Sequence, residues 1–395
     1  EDKKRFKEKI FPSHFRSNRN EECKLIWFHA ASIGECLSIL PLLDEINKKH
    51  KNIRFLITTV TLSSSKLLEK KLNHYNNIDH RFFPLDVESL ADNFLNLWKP
   101  DLVCFVDSEI WPNFLFKIKE KKIPLLLLNA RSTKKSFNKW KIVLNFAEKV
   151  FNNFDLCLAA SDESKNNLKE LHIQNLKYFG NLKYSSKSIS SELADSNKKI
   201  LNNFKTWCAA STHNGEELIV LKTHLEIKKQ YKNILTIIIP RHIDRSNHIK
   251  NLSSKFNLNV QILNNDSLIN TNTEILIVNS FGVLSKYFNY CKNVFIGKSF
   301  IAKLKNVGGQ NPIEAAKLGC KIYYGPFVYN FHEIYNHLET HGMAEKVNDE
   351  LELAYKITQN FKNQETKNQQ QVDLLNNYGE KILKETVLEL DKYLK

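Results

Sequence analysis

The first residues in this chain that could do chemistry are acids placed where apolar runs end. In HAASIGECLSILPLLDEI, Glu35 follows Ser32, Ile33 and Gly34 at the start of a helical pattern. The positive end of a helix dipole favours an ionised carboxylate there. Such a carboxylate, within reach of a hydroxyl, is a general base, although the same dipole lowers its basicity. A glutamate that merely stabilises its helix explains the position too. In DLVCFVDSEIWPN, Asp107 and Glu109 end another apolar run, which Trp111-Pro112 breaks. With a period of two the pair shares one face of a strand. Acids in such a place need partners, so a structural ion pair and a catalytic role both stand. Lys183, after Gly180 and Asn181 in YFGNLKYS, is either a solvated lysine or a cation facing a cleft between domains.

A second set of residues fits an anion. In WCAASTHNGEE, Ser211, Thr212 and His213 precede the acidic helix start Gly215-Glu216-Glu217, so hydroxyls and free backbone N–H groups converge where an anion could sit. Ordinary capping accounts for Ser211 or Thr212 as well. LTIIIPRHIDR places Arg241 and His242 at a strand end, where Arg offers a bidentate fork to phosphate or carboxylate, or a surface ion pair. In KNVGGQNPIEAAKLGC, Gly308 and Gly309 permit close backbone approach to a ligand; Asn311 is expected at a helix cap, Pro312 at the first helical position and Glu314 just beyond. No Gly-x-Gly-x-x-Gly or Walker pattern supports a dinucleotide or triphosphate site. His332, His337 and His341 have the spacing His-Glu-x-x-x-His, which puts His332 and His337 on different helical faces, so no metal site is expected.

Elements that could position these groups alternate along the whole chain. Strands are expected at Leu25–Ala31, Arg54–Val60, Arg81–Leu85, Asp101–Ser108, Pro124–Ala130 and Leu156–Ser161, and again at Trp207–Ser211, Leu235–Arg241, Glu274–Ser280, Asn293–Ser299 and Lys321–Gly325, with helices between them. The polar, Ser-rich SSKSISSELADSNKK reads as a linker ending at Lys199, and a helical tail follows from about Asp349. Two α/β halves fit the 395 residues. In open parallel sheets ligands bind beyond the carboxyl ends of strands, where the acids, Arg241 and the glycine pair lie. The 42% hydrophobic content supports real cores, and no stretch reaches the length of a membrane span. Seven scattered cysteines, Cys23, Cys36, Cys104, Cys157, Cys208, Cys291 and Cys320, lack any Cys-x-x-Cys pair and read as reduced thiols of a cytosolic compartment. A net charge of +15 favours anionic partners, although Lys-rich solvated faces account for part of it.

Taken together and in order, HAASIGE, DSEIWPN, LNARSTKKSF, FGNLKY, ASTHNGEE, IIPRHIDR and GGQNPIEAAKLG resemble the Kdo transferases of lipopolysaccharide synthesis. These attach 3-deoxy-D-manno-oct-2-ulosonic acid (Kdo) to the lipid A precursor. The resemblance runs from about Arg5 to about Val347. It implies a GT-B fold: an acceptor-binding Rossmann-like domain at 1–187, a linker at 188–199, a CMP-Kdo-binding domain at 200–370, and a C-terminal helix at 371–395 returning to the first domain. By position, Glu35 matches the proton acceptor. Asp107, beside Glu109, matches an acidic position linked to transition-state stabilisation, and Lys183 matches its basic counterpart. Ser32 and Gly34 fall on the acceptor side. Pro240 and Arg241, the turn Phe281-Gly282-Val283, and Asn311, Pro312, Ile313 and Glu314 match CMP-binding segments; Ser211, Thr212, His242, Gly308 and Gly309 complete the expected donor site.

The resemblance implies inverting, metal-independent transfer without a cofactor, on the cytoplasmic face of the bacterial inner membrane. The expected partners are CMP-Kdo, the lipid A precursor and the anionic membrane surface, not nucleic acid. The family's hydrophobic N-terminal anchor is expected to precede Glu1. The sequence departs from the family's usual residues in four places: Asp107 for Glu, Asn279 to Val283 for Asp-Thr-Met-Gly-Glu, Lys298 for Gly and Gln310 for His. Two rivals remain: another sugar-nucleotide enzyme on the same scaffold, whether glycosyltransferase or epimerase, and a basic module binding nucleic acid or membrane. The latter would need a basic stripe with interleaved aromatics, whereas here the lysines are dispersed.

Overall fold

The structure is a computed structural model that describes residues 5–12, 23–73, 75–186, 192–264, 267–363 and 368–394. It divides into two compact units, one of residues 1–187 with 377–395, the other of residues 188–376.

The first unit carries β1 (Lys24–His29), β2 (Ile53–Thr59), β3 (Ile78–Phe82), β4 (Leu102–Val106), β5 (Leu125–Ala130), β6 (Leu156–Ala159) and β7 (Leu176–Tyr178). All pair in parallel, in the order β3-β2-β1-β4-β5-β6-β7. Every residue of β4 and β5 is buried, because crossover helices cover both faces of a parallel sheet and such strands need apolar side chains throughout. Beneath them Trp27 packs among Phe83, Phe94, Phe105 and Phe114.

The second unit repeats the scheme with β8 (Lys205–Thr212), β9 (Ile234–Pro240), β10 (Val260–Leu263), β11 (Ile275–Val278), β12 (Asn293–Ile296), β13 (Lys321–Tyr324) and β14 (Ala344–Lys346). Their order is β10-β11-β9-β8-β12-β13-β14, again all parallel. The chain is thus a two-unit α/β protein of the GT-B type. In each sheet the strand order reverses direction at one crevice, β1/β4 in the first and β8/β12 in the second, and open α/β sheets hold their ligands at that switch point.

Several expectations need correction. The third strand lies at Ile78–Phe82 rather than Arg81–Leu85, because Pro84 cannot donate to a ladder. The edge strands β7, β10 and β14 were not anticipated; they are three or four residues long and only partly buried, so no apolar run announces them. The expected linker is in part a helix, Asp195–Leu201. Its polar composition hides an anchor: Asn197 is buried, its amide donates to the Ser267 carbonyl at 2.9 Å, and its Oδ1 accepts from the Ile269 N–H at 2.9 Å. Residues 187–191 of that stretch lie outside the described residues.

The tail forms two helices, Glu350–Lys362 and Gln369–Asp391. From residue 377 onward the second belongs to the first unit. There Asp391 pairs with Lys49 at 2.9 Å, Glu389 with Lys177 at 2.8 Å, and Lys24 Nζ reaches the Leu394 carbonyl at 2.8 Å.

Candidate active site

The β1/β4 crevice gathers six of the predicted residues: Ser32, Gly34, Glu35, Asp107, Glu109 and Lys183. After β1 the chain turns through Ser32, whose hydroxyl caps the helix Ile33–Lys49 by accepting from the Glu35 N–H at 3.4 Å. Glu35 reaches back: its carboxylate accepts from Ser32 Oγ at 2.5 Å and from the Ala31 N–H at 2.7 Å. This is a variant of the capping box, with the Ala31 N–H in place of that of the cap residue Ser32, so the helix-stabilising role is real. It does not leave an ordinary carboxylate, however. Burial first, then the charges of Asp107 and Glu109, raise the Glu35 pKa against the lowering effect of its two hydrogen bonds. The net result is a stronger base than the helix dipole alone predicts. Gly34 is exposed in the first helical turn, with open space where a side chain would stand.

Asp107 and Glu109 do not share a strand face. The strand ends at Val106, and Asp107 adopts a left-handed backbone with φ of 65°, so alternation stops before either acid. The two are held separately. Asp107 is buried, with Lys183 Nζ 3.0 Å from one carboxylate oxygen and Arg131 Nε 3.3 Å from the other. Burial pushes its pKa up, but Lys183 and Arg131 overrule it and keep the group below its ordinary value. Glu109 accepts from Trp111 Nε1 at 2.9 Å and faces His29 Nε2 at 3.3 Å. The imidazole of His29 is fully buried, its Nδ1 held by Thr58. One carboxylate is therefore kept ionised by fixed cations beside a second one made more basic, an arrangement suited to accepting a proton.

Arg131 was missed as a site residue, although it lies in LNARSTKKSF. Its signal was the one used for Arg241, a basic residue directly after an apolar strand. Asn129 was missed too; its Oδ1 accepts from the Leu182 N–H at 2.8 Å and so fixes the turn that carries Lys183.

The left-handed backbone also explains the aspartate. Asp tolerates that region better than Glu, and its short side chain already meets both cations. Asp107→Glu is therefore expected to lower turnover and to cost about 1–3 kcal/mol of stability by overpacking. Thermal melting with steady-state rates will check this; a faster enzyme with unchanged melting would contradict it.

At the β8/β12 crevice of the second unit the structure corrects the anion site expected at the start of the helix. The helix Glu216–Lys228 begins with a fully buried carboxylate, Glu216. One of its oxygens accepts from the N–H groups of His213 at 2.9 Å and Lys298 at 2.7 Å, the other from Ser299 at 2.8 Å and Phe300 at 3.0 Å. The protein supplies its own anion to these amides, so they are not open to a ligand. Burial nonetheless raises the Glu216 pKa, with the four amides opposing it. Ser211 and Lys298 flank this knot with left-handed φ of 56° and 60°.

Around the knot, Arg241 and His242 are exposed just after Pro240, and the Arg241 N–H donates to the Thr212 carbonyl at 3.1 Å. The His213 and His242 rings lie 5.9 Å apart. Burial first, then Lys298, His242 and Arg241, keep the His213 pKa low despite its bond to the Ser211 carbonyl. Thr212 is fully buried. Arg245, which was not predicted, forms the bidentate pair instead, holding Glu217 at 2.7 and 2.9 Å. Arg241 makes no ion pair among the described residues and keeps its guanidinium at the surface. Phe281 is 71% exposed on the turn whose Gly282 has φ of 72°, with Val283 leading into the helix Leu284–Phe288.

Two readings of the glycine segment change. A Cβ on Gly308 would stand 2.1 Å from the Phe327 carbonyl oxygen, and one on Gly309 would stand 3.1 Å from Val328 Cα, so both admit neighbouring backbone rather than a ligand. Pro312 is the cap residue rather than the first helical one, and the helix Ile313–Lys317 has only five residues, with Glu314 in its first turn. Asn311, expected at the cap, lies one residue before it, and its Oδ1 still accepts from the first helical N–H, that of Ile313, at 3.1 Å.

The sequence is similar to those of known proteins. The family described as 3-deoxy-D-manno-octulosonic-acid transferase (kdotransferase) matches residues 4–186. A 3-deoxy-D-manno-octulosonic acid transferase of Rickettsia bellii is 34% identical over 329 residues, which cover 82% of this chain and 76% of the relative. The chain belongs to the Kdo transferase family. Membership in the Kdo transferases makes it a glycosyltransferase and accounts for the order of its motifs.

Solved structures show how widely the Kdo transferase fold is shared. A putative UDP-N-acetylglucosamine 2-epimerase from Listeria monocytogenes superposes with a TM-score of 0.63 at 11% identity, covering 93% of this chain and 95% of its own. A glycosyltransferase from Rickettsia africae gives 0.61 at 13%, covering 94% and 99%. At such identities these two speak to fold alone.

Proposed function

We propose that this enzyme transfers Kdo from CMP-Kdo to the lipid A precursor with inversion, the first unit receiving the acceptor and the second the donor. The observation that carries this reading is the buried Glu35, made more basic by its surroundings, beside an Asp107 kept ionised by Lys183 and Arg131.

In the reaction, Glu35 takes the proton of an acceptor sugar hydroxyl as its oxygen bonds to the anomeric carbon of Kdo. The bond from that carbon to the CMP phosphate oxygen breaks, and CMP leaves with the electron pair. The exposed Arg241 guanidinium and the capped segment at Asn311 suit the phosphate, and Glu314 suits the ribose hydroxyls. Fixed cationic side chains can neutralise the departing charge, so transfer is expected to persist in EDTA. The net charge of +15 suits a phosphorylated acceptor at an anionic membrane surface. Among the described residues no helix is long and apolar enough to cross a membrane.

Incubation with CMP-Kdo and lipid A precursor, followed by mass spectrometry, tests the proposal. The acceptor should gain the mass of one or more Kdo residues as CMP appears. Absence of any gain, or tighter binding of UDP than of CMP, would favour another sugar-nucleotide enzyme on this fold.

A further inference from the structure

We infer that the C-terminal helix is a positioning element for Lys183, with Gly379 as the residue that lets it act. This rests on the reading of Lys183 as part of the reacting site.

A glycine in the interior of a helix sacrifices stability relative to alanine, so Gly379, in the middle of the 23-residue helix Gln369–Asp391, calls for a packing reason. The reason is backbone-to-backbone contact. A Cβ at position 379 would stand 2.1 Å from the Tyr184 carbonyl oxygen and 2.7 Å from its carbon. The helix therefore lies directly against the 3-10 turn Leu182–Ser185, the turn whose second residue is Lys183.

Two more contacts clasp the same segment. Gly180 meets Ile382 and Tyr378, where an added Cβ would stand 2.6 Å from Ile382 Cδ1 and 2.7 Å from the Tyr378 hydroxyl. The Tyr184 and Tyr378 rings pack edge to face at 5.1 Å. Asn129 at the end of β5 also holds the Leu182 N–H, and Asn181 Oδ1 accepts from the Lys183 N–H at 3.0 Å. The turn is thus held by both β5 and the C-terminal helix. Its position sets where Lys183 Nζ meets Asp107, at 3.0 Å.

A side chain at 379 cannot be relieved by a rotamer change, because the atom it meets is backbone. Either the helix lifts and the turn loses that support, or the turn itself moves, and in both cases the ammonium loses its fixed place against Asp107. Less neutralised, the Asp107 charge then raises Glu35 further, since Asp107 already pushes the Glu35 pKa up. A purely structural role for Gly379 would not produce that change.

The test uses the full chain with CMP-Kdo and lipid A precursor. Gly379→Ala should lower kcat at least tenfold, leave KM for CMP-Kdo within twofold, and move the acid limb of the kcat profile to higher pH. A folded Gly379→Ala with unchanged kcat and pH profile overturns the inference. If that variant does not fold, Ile382→Val, which removes only the methyl nearest Gly180, should lower kcat two- to fivefold with the same shift of the acid limb; no change in either overturns it. Lys183→Met separates the two levels. Full transfer by Lys183→Met refutes the reading of the site itself, whereas an inactive Lys183→Met beside a fully active Gly379→Ala refutes this inference alone.

Discussion

Glu35→Gln is expected to reduce transfer by about 10²–10⁴-fold while leaving the fold and donor binding in place. Gln preserves the length of the side chain and can still accept from the Ala31 N–H, but it cannot take a proton from a hydroxyl. The pH dependence distinguishes loss of a base from loss of a cap. The base works only when ionised, and burial with the charges of Asp107 and Glu109 raises its pKa, so the acid limb of wild-type activity should lie above the ordinary carboxylate value of 4.5.

The same shift bears on stability with a definite sign. A carboxyl whose folded-state pKa is raised binds its proton more tightly in the native state. Its contribution to stability is therefore greatest at low pH and falls as pH rises through the folded pKa. Gln escapes that loss. Near neutral pH, Glu35→Gln should melt no lower than the wild type, and at pH values below both pKa values any difference due to ionisation should vanish. A variant that transfers Kdo at near-normal rate would remove Glu35 from the role of base, and one that melts well below the wild type at pH 7 would show that the cap bonds outweigh the cost of the buried charge.

Glu216→Gln should have the largest effect on stability. The carboxylate answers four backbone donors with two oxygens. An amide has one oxygen, so its NH2 must face either the amides of His213 and Lys298 or those of Ser299 and Phe300. With two buried donors unmatched, the expected cost is about 2–4 kcal/mol, or roughly 4–16 °C in the melting of a unit of this size. CMP affinity should fall as well, since the turn 298–300 and His213 lose their common anchor. Differential scanning calorimetry with CMP titration checks both, and a melting temperature within 2 °C of the wild type would show that the knot is not structural.

Much of the site could be read in one dimension because each piece is local. Strand β1 with Ser32 and Glu35, β4 with Asp107, and β9 with Arg241 are each an apolar run followed by a polar turn, and the carboxyl-end rule of parallel sheets directs attention to those turns. Period and composition were enough for this, as they were for two alternating α/β units. They failed where the signal was short or disguised: in the three-residue and four-residue edge strands, in the helix Asp195–Leu201 hidden by its polar residues, and at Asp107, where a left-handed turn ends the alternation that a period of two extends to Glu109.

What the sequence by itself determined, then, is which residues stand at the ends of which strands and the family to which their order corresponds. Only the tertiary structure decided their partners, because each decisive contact joins distant segments. Asp107 meets Arg131 and Lys183 from two other loops, and Glu216 closes on amides more than eighty residues away. Gly379 lies against a turn almost two hundred residues before it. Charge, burial and backbone conformation at these points follow from how the sheets order their strands, and that order is a property of the whole chain that no local pattern carries.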